Sequence, residues 1–424
     1  MNNHWLDAAK TFLLALGYSF AVILIQYFFN HIELSNHVPD AVTLKQWDAP
    51  IYQNAARLGY YYHDEKDNNM GIFILFPWVW RLLHVGILGI CISNIIFFSA
   101  AFTIITRIYP VPSREKLLWL TTPLLYFMWV PYTEALFCLL IAILFYGMVR
   151  HNKPVIVTSL IVVSLCRPTT AFLTPALLVA ALLSSSKQNI GQSLKKYLLL
   201  YALPTLIGTA IFVLYQYSVS HVWFPYYKGQ AKYLGHVFSL PTFPFSSCYG
   251  GQRIKWIGGL AMVPCTIAIV VLARKALKWL RKDTVYPDEV WLLTLGYLPL
   301  VMGVMVFFSP TWGTLTTNLI SIHRYVFCSP FFFVFLYHMV SKPRTYRAVH
   351  FITAIVVCNI VWLSMGSYKH FLELLFYNVL TVLVVLYMVH ANNKQSWAAL
   401  VICGFNIFIQ IHLFQQYMAG LFTE

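Results

Sequence analysis

The tetrapeptide Trp47-Asp48-Ala49-Pro50 holds a carboxylate in a position suited to proton transfer. Asp is a favoured N-cap and Pro favours the first helical turn, so the pattern predicts a short helix over residues 49–58. We expect one side of this helix to carry Ile51, Ala55 and Leu58. Asp48 has two compatible interpretations, the cap of an interfacial helix or a general base that takes a proton from a substrate hydroxyl.

Glu134 is a second candidate, in the segment PYTEALF at the start of an otherwise apolar run. An ionisable group at membrane depth is costly and is by default a functional-site hypothesis. The alternative is a polar helix start, in which Pro131 and Thr133 supply the N-terminal chemistry.

Three groups suited to phosphate complete the set: Arg167 in SLCRPTTAF, and His323 with Arg324 in SIHRYVF. A guanidinium can hold a phosphate through two parallel hydrogen bonds. The alternative is that these are cations at the lipid–water interface, whose charged ends reach for water. Taken together they favour a site for an anionic headgroup.

Acidic residues gather near the first candidate: Glu33, Asp40, Asp48, Asp64, Glu65 and Asp67. The run from His63 to Asp67 is typical of a solvated loop. An acceptor site or a divalent-ion site is the alternative, although the spacing carries no ligand signature.

The elements that must position these residues are membrane-spanning helices. The chain has 424 residues, of which 59% are hydrophobic and 10% charged. Continuous apolar runs approach the length of about 20 residues needed to cross a hydrocarbon core, and a spanning chain of this pattern must be helical. We predict one integral membrane domain over 1–424 with about thirteen transmembrane helices, at 11–29, 86–106, 117–131, 133–149, 154–166, 168–183, 197–219, 256–274, 290–308, 325–340, 348–365, 371–390 and 397–414.

The net charge of +15 is explained by topology, because lysine and arginine concentrate in the short loops of one side. That side is predicted to be cytoplasmic, and no nucleic-acid partner is expected. The long first and fourth extracytoplasmic loops cover 30–85, with interfacial helices and Asp48, and 220–255. Trp47 and Tyr52 should lie at headgroup level. The eight cysteines fall mostly in apolar runs, which argues against a disulfide framework, and no CxxC or Cys/His cluster suggests a metal site.

Five blocks of the sequence, in order, resemble the GPI mannosyltransferase II (PIG-V-like) family: QWDAPIYQNAARLGY, FILFPWVWRLL, PYTEALF, CRPTT and HRYVFCSPFFF. They cover about residues 44–335. The chain departs from the family at FILFPWVW, which lacks the usual Pro-Leu-Tyr-Pro run, and in the insertion YYYHDEKDNNMG. The acceptor and the sugar therefore stay open.

The resemblance implies a GT-C glycosyltransferase fold and an inverting transfer of a hexose, typically mannose, from a polyprenyl-phosphate sugar of the dolichyl or undecaprenyl type. The acceptor would be a glycolipid or glycan hydroxyl. Asp48 matches the catalytic base of the first outer loop, and Arg167, His323 and Arg324 would hold the donor phosphate. Glu134, Trp47 and Tyr52 would orient the substrates. No cofactor or metal is required, and the site would face the outside of a prokaryotic inner membrane or the lumen of the endoplasmic reticulum.

Two other classes of protein compete with this hypothesis. A transporter or flippase for a lipid-linked saccharide predicts charged residues in mid-span and inverted repeats, and the sequence offers almost none of the former and no evident repeat. A non-catalytic membrane scaffold leaves the acidic first loop and the outer arginines unexplained.

Overall fold

The computed structural model describes residues 2–64, 68–168, 170–233, 236–249, 252–253, 255–308, 316–342, 345–366 and 371–421. Over these residues the architecture is helical, apart from a two-residue antiparallel ladder between β1 (Cys248–Tyr249) and β2 (Gln252–Arg253). This confirms the prediction of an all-helical chain.

The helices, in chain order, are α1 (Asn2–His31), α2 (Ala49–Leu58), α3 (Leu75–Leu83), α4 (Ile87–Ile108), α5 (Ser113–Leu120), α6 (Glu134–Val149), α7 (Lys153–Val163), α8 (Thr170–Leu183), α9 (Ile190–Lys196), α10 (Leu203–Ser220), α11 (Pro225–Tyr233), α12 (Lys255–Lys282), α13 (Glu289–Phe307), α14 (Ile322–Phe327), α15 (Pro330–Leu336), α16 (Ala348–Ser364), α17 (Phe371–Asn393) and α18 (Ser396–Met418). Turns of 3-10 helix cover Leu125–Met128 and Lys187–Asn189, and π-helical turns cover Tyr197–Ala202 and Tyr337–Ser341.

Seven helical stretches within the described ranges are long and apolar enough to cross a membrane: Trp5–His31, Ile87–Ile108, Lys187–Ser220, Trp256–Lys282, Glu289–Phe307, Phe371–Asn393 and Ser396–Met418. Shorter apolar helices lie between them, such as Glu134–Val149 and Ala348–Ser364. These lengths and compositions are those of a multi-pass membrane protein. The count of thirteen spans remains a prediction.

The predicted span 117–131 is wrong as a continuous helix. Helix α5 ends at Leu120, and only one 3-10 turn follows before residue 131. The sequence Thr121-Thr122-Pro123 explains the break, since both hydroxyls donate to backbone carbonyls three residues earlier, at 2.9 and 2.8 Å. Proline, in addition, has no amide hydrogen to continue a helix.

Packing between helices brings particular helix ends together. Close contact joins α4 with α6, α8 with α13, and α1 with α4. A side chain on Gly296 would lie 3.0 Å from the Cα atom of Ala176, so the α8–α13 contact depends on small residues. We call the end that holds α2, α14 and the start of α6 the Asp48 end. The opposite end holds the start of α13, where the Tyr109 hydroxyl donates to Asp288 at 3.2 Å.

Candidate active site

Four charged side chains from distant parts of the chain meet at the Asp48 end. Asp48 precedes α2, Glu134 begins α6, Arg167 lies between α7 and α8, and Arg324 lies in α14. All four were candidates from the sequence, and the structure brings them into one cluster. Two carboxylates face two guanidinium groups, so the cluster is neutral when every member is ionised.

Glu134 is the centre of this cluster and has no exposed surface. Its Oε1 atom accepts from Nε of Arg324 at 2.8 Å and lies 2.8 Å from Nη2 of the same residue. Nη1 of Arg167 lies 3.2 Å from the same oxygen. A buried carboxylate is tolerated only with close ionic partners, and here two guanidinium groups supply them.

Aromatic rings fix both guanidinium groups in place. The Cζ atom of Arg167 lies 4.4 Å from the ring centre of Tyr325 and 5.6 Å from that of Phe137. The Cζ atom of Arg324 lies 4.7 Å from the ring centre of Tyr132. Cation–π contact in a desolvated site strengthens this restraint, and the planar guanidinium suits it better than an ammonium group would.

Asp48 is the accessible member of the cluster. Its side chain is 39% exposed, whereas those of Arg167 and Arg324 are each 6% exposed. Its Oδ2 atom lies 3.4 Å from Nη1 of Arg324, a longer contact than those made by Glu134. Asp48 is therefore a carboxylate open to a small molecule, with a fixed cation beside it.

The side chain of Asp48 does not cap α2, so that part of the prediction is wrong. The helix begins at Ala49 as expected, but Asp48 has right-handed backbone angles and makes no capping hydrogen bond. Trp47, just before it, adopts φ +51°, in the left-handed region that non-glycine residues rarely occupy. The turn so formed places the carboxylate near Arg324.

Tyr132 holds the backbone of this turn. Its hydroxyl accepts from the amide of Asp48 at 3.3 Å and donates to the carbonyl of Gln46 at 3.1 Å. The segment that carries Tyr132 is fastened by the buried side chain of Asn94, which donates to the carbonyls of Val130 and Tyr132 at 2.6 and 3.1 Å. The Asp48 backbone is thus tied to α4 through two side chains.

Of the side of α2 that carries Ile51, Ala55 and Leu58, only Ala55 packs inward. Tyr52, Ala55 and Ala56 are buried, whereas Ile51 is 40% exposed and Leu58 is 77% exposed. The ring of Tyr52 packs edge-on against Phe76 and Tyr132, and its place at headgroup level stays a prediction. Burial raises the pKa of the Tyr52 hydroxyl well above its usual range, and the carboxylate of Asp48 adds to the effect. This hydroxyl is therefore neutral beside the cluster.

The sequence also singled out His323 and the acids of the run from His63 to Asp67. His323 is fully buried, with its ring centre 6.4 Å from that of Phe127, a ring that Arg324 also covers at 5.1 Å. Asp64 lies in the loop after α2, and its carbonyl accepts from Asn68. The other acids of that run, Glu65 and Asp67, lie outside the described residues.

Sequence reasoning missed the aromatic and polar side chains that hold the charges. Tyr132 and Tyr325 each adjoin or nearly adjoin a candidate charge in the sequence, and this neighbourhood was the available signal. Tyr226 of α11 is buried, and burial raises the pKa of its hydroxyl, with Tyr325 adding to the effect. Nothing in the sequence links Asn94, in the middle of an apolar run, to the site.

No protein-family model, no curated protein and no solved structure matched this chain. The likeness to the PIG-V-like family thus remains a prediction from the five sequence blocks. Over the described residues, no group of three or more His, Cys, Asp and Glu side chains is arranged to hold a metal ion.

Proposed function

We propose that this protein is an inverting glycosyltransferase that moves a hexose, mannose in the first instance, from a polyprenyl-phosphate sugar to a hydroxyl of a glycolipid or glycan. The observation that carries the proposal is the pairing of an accessible carboxylate, Asp48, with a fixed guanidinium, Arg324, 3.4 Å away at one end of an apolar helical bundle. A lipid-linked donor combines an apolar tail, a phosphate and a sugar in that order. The Asp48 end offers an apolar bundle for the tail, the guanidinium of Arg324 for the phosphate and the accessible carboxylate of Asp48 for the reaction at the sugar.

The donor phosphate is assigned to Arg324. Arg324 lies between the buried Glu134 and the accessible Asp48, so it contacts both the interior and the open part of the cluster. Arg167 pairs with Glu134 and stacks on Tyr325, so it contributes positive charge from behind. His323 lies beside Arg324 on α14 and is the third residue assigned to the donor phosphate.

The transfer itself needs one proton acceptor and one stabilised leaving group. The acceptor hydroxyl oxygen attacks the anomeric carbon of the sugar and forms the new glycosidic bond with inversion. The bond from that carbon to the phosphate oxygen breaks, and its electron pair stays with the polyprenyl phosphate. Asp48 receives the hydroxyl proton, an effect worth typically 10²–10⁴-fold in rate.

Arg324 serves both ends of this reaction. As the sugar passes to the acceptor, Asp48 gains a proton and loses its negative charge. At the same time the phosphate changes from a diester to a monoester and gains one negative charge. A guanidinium within reach of both groups stabilises the charge before and after transfer. Such a fixed donor in a water-poor site needs little reorganisation, which is where electrostatic catalysis is strongest.

The finer features of the fold belong to the same proposal. We infer a GT-C-type arrangement of thirteen spans, with the Asp48 end on the extracytoplasmic or lumenal side. The break after α5 and the short helices α14 and α15 suit this arrangement, because they bring irregular backbone to the site within an otherwise helical bundle.

The deciding experiment is a transfer assay with the purified protein in liposomes. The donor is a radiolabelled polyprenyl-phosphate mannose, and a glycolipid extract supplies the acceptor. We expect one polyprenyl phosphate to be released for each sugar that appears on the acceptor. If the labelled donor instead crosses the bilayer intact and no polyprenyl phosphate forms, the protein is a transporter of lipid-linked saccharide and the proposal is wrong.

A further inference from the structure

The last turns of α12, at the end opposite Asp48, form a basic surface that the proposed reaction does not use. The apolar helical stretch that ends there runs from Trp256 to Lys282, which is 27 residues. At about 1.5 Å per residue it measures about 40 Å, longer than a hydrocarbon core of about 30 Å. The last turns therefore reach beyond the acyl chains, to the depth of lipid headgroups.

Four exposed cations lie on these turns: Arg274, Lys278, Arg281 and Lys282. We call them the α12 basic surface. Lys195 of α9, likewise exposed, lies in the connection between α8 and α10, on the same side of the bundle. Within the part of the chain that the structure describes, no carboxylate lies within 4.0 Å of any of these five charged groups.

The carboxylates nearest in the sequence are engaged by other groups. Asp283 accepts from the Ser186 hydroxyl at 2.6 Å and from the amide of Lys187 at 2.8 Å, and these bonds hold the pKa of its carboxyl below its usual range. Glu289 pairs with Lys196 at 2.5 Å and accepts from a tyrosine hydroxyl at 2.9 Å. The α12 basic surface is thus left without internal compensation.

Apolar side chains alternate with these cations. Leu277 is 50% exposed and Leu280 is 56% exposed, directly between the basic positions. Trp279 faces inward and anchors the helix end, because its indole nitrogen donates to the carbonyl of Ser185 at 2.8 Å. Leucines beside lysine and arginine at a helix end are typical of contact with the lipid–water interface, where the leucines meet acyl chains and the cations meet phosphates.

We propose that the α12 basic surface binds the headgroups of anionic phospholipids in the adjoining leaflet. The phosphate of such a lipid provides the negative charge that the basic surface lacks. An anionic lipid carries a net negative charge, whereas a zwitterionic lipid has none. The occupant is a bilayer lipid rather than an acidic protein or a nucleic acid, because the exposed leucines and the length of α12 place the cations at headgroup depth.

The test uses the full-length protein in nanodiscs of phosphatidylcholine mixed with phosphatidylglycerol. The lipids retained after transfer to detergent are identified by native mass spectrometry. We expect phosphatidylglycerol to be enriched over its share of the mixture. The triple substitution Lys278→Gln, Arg281→Gln and Lys282→Gln should reduce this enrichment roughly tenfold.

A matched control removes the same charge from the Asp48 end: Lys45→Gln, Arg57→Gln and Lys228→Gln, all at exposed positions. It should leave the enrichment unchanged. Raising the salt concentration from about 0.05 to about 0.5 M should weaken the enrichment for the wild-type protein, since screening shortens the range of the attraction. This second measurement needs no variant and therefore stands even if the triple variant folds poorly.

Five results would overturn the proposal. The first is wild-type protein that retains both lipids in proportion to the mixture. The second is undiminished enrichment in the triple variant, and the third is undiminished enrichment at high salt. The fourth is a control variant that loses as much enrichment as the triple variant. The fifth is a triple variant that keeps its lipid selectivity but no longer retains an oligonucleotide or a polyglutamate peptide, which would assign the surface to an acidic macromolecule.

Discussion

At the scale of residues, the charge balance around Glu134 is the strongest restraint in the site. One oxygen of this fully buried side chain lies within 3.2 Å of three guanidinium nitrogens. Two buried cations therefore depend on a single anion and on the more distant Asp48. Removing one partner of a buried ion pair is costly, because the remaining charge stays in a medium that solvates it poorly.

We expect Glu134→Gln to lower the free energy of unfolding by about 3–5 kcal/mol, since it leaves Arg167 and Arg324 without their shared carboxylate. The measurement is the thermal unfolding of the purified variant in detergent, followed by circular dichroism. Glu33→Gln is the matched control, because Glu33 is exposed in the loop after α1 and should tolerate the change. Equal unfolding temperatures for both variants would contradict the ionic account of the cluster.

The sequence singled out Asp48 by its helix-start pattern and Glu134 by the cost of placing charge at the end of an apolar run. It singled out the two arginines by their suitability for phosphate at the edges of apolar runs. It did not predict which charges pair. Asp48 and Arg324 are 276 positions apart, and no local pattern encodes a contact over that separation. Asn94 stayed hidden for the same reason, because a lone amide in an apolar helix has no distinguishing pattern until its partners are known.

At the scale of elements, close helix contacts position the parts that carry the site. Gly208 of α10 faces α7, and a Cβ atom there would collide with the carbonyl oxygen of Ile161 and lie 2.6 Å from the Cβ atom of Ser164. Helix α7 leads directly to Arg167, so this contact bears on the placement of that guanidinium.

Gly208→Ala should lower the unfolding temperature, because the two helices must separate to admit the methyl group. The expected loss is about 1–3 kcal/mol, read from thermal unfolding in detergent. Gly404→Ala serves as the control, since nothing lies within 4 Å of its added atom and alanine favours a helix. An unfolding temperature for Gly208→Ala at or above that of the control would show that the α7–α10 contact is looser than described.

The bounds of α2 were predictable and its buried face was not. Proline in the first turn and glycine after Leu58 mark both ends in the sequence. The side with Ile51 and Leu58 was the more apolar, and in a soluble protein that side would be buried. Beside a bilayer the apolar side can instead face lipid, and the small residues Ala55 and Ala56 with Tyr52 pack inward. The hydrophobic pattern alone cannot distinguish these two surroundings.

At the scale of the whole molecule, charge separates the two ends of the bundle. The Asp48 end holds a neutral cluster of carboxylates and guanidinium groups, and the opposite end holds the α12 basic surface. Lysine and arginine near the ends of spans favour the cytoplasmic side. This predicts that Asp48 faces the outside or the lumen.

Thiol labelling tests this orientation in intact bacterial cells that carry the protein in their inner membrane. In a Cys248→Ser background, the remaining cysteines are buried. Val42→Cys, at a position 76% exposed near Asp48, should react with an impermeant maleimide added from outside. Gln188→Cys, exposed at the opposite end, should react only after the membrane is permeabilised. The reverse pattern would place Asp48 in the cytoplasm and contradict the proposed topology.

Composition and apolar runs predicted the helical membrane architecture, because the cost of unsatisfied backbone groups in lipid leaves few other structures. The sequence signal for the interruption of the segment 117–131 is Thr121-Thr122-Pro123. The position of the broken segment in the fold depends on its packing against other helices, and no local sequence pattern encodes that packing.

The central claim is that Asp48 accepts the proton during sugar transfer, and the rate of transfer by Asp48→Asn tests it most directly. Asn keeps the shape of the side chain and removes its basicity. We predict a fall in turnover of about 10²–10⁴-fold with a smaller loss of unfolding temperature than for Glu134→Gln, while Asp40→Asn in the same loop keeps wild-type turnover. Near-wild-type transfer by Asp48→Asn, in a preparation whose wild-type protein is active, would contradict the account.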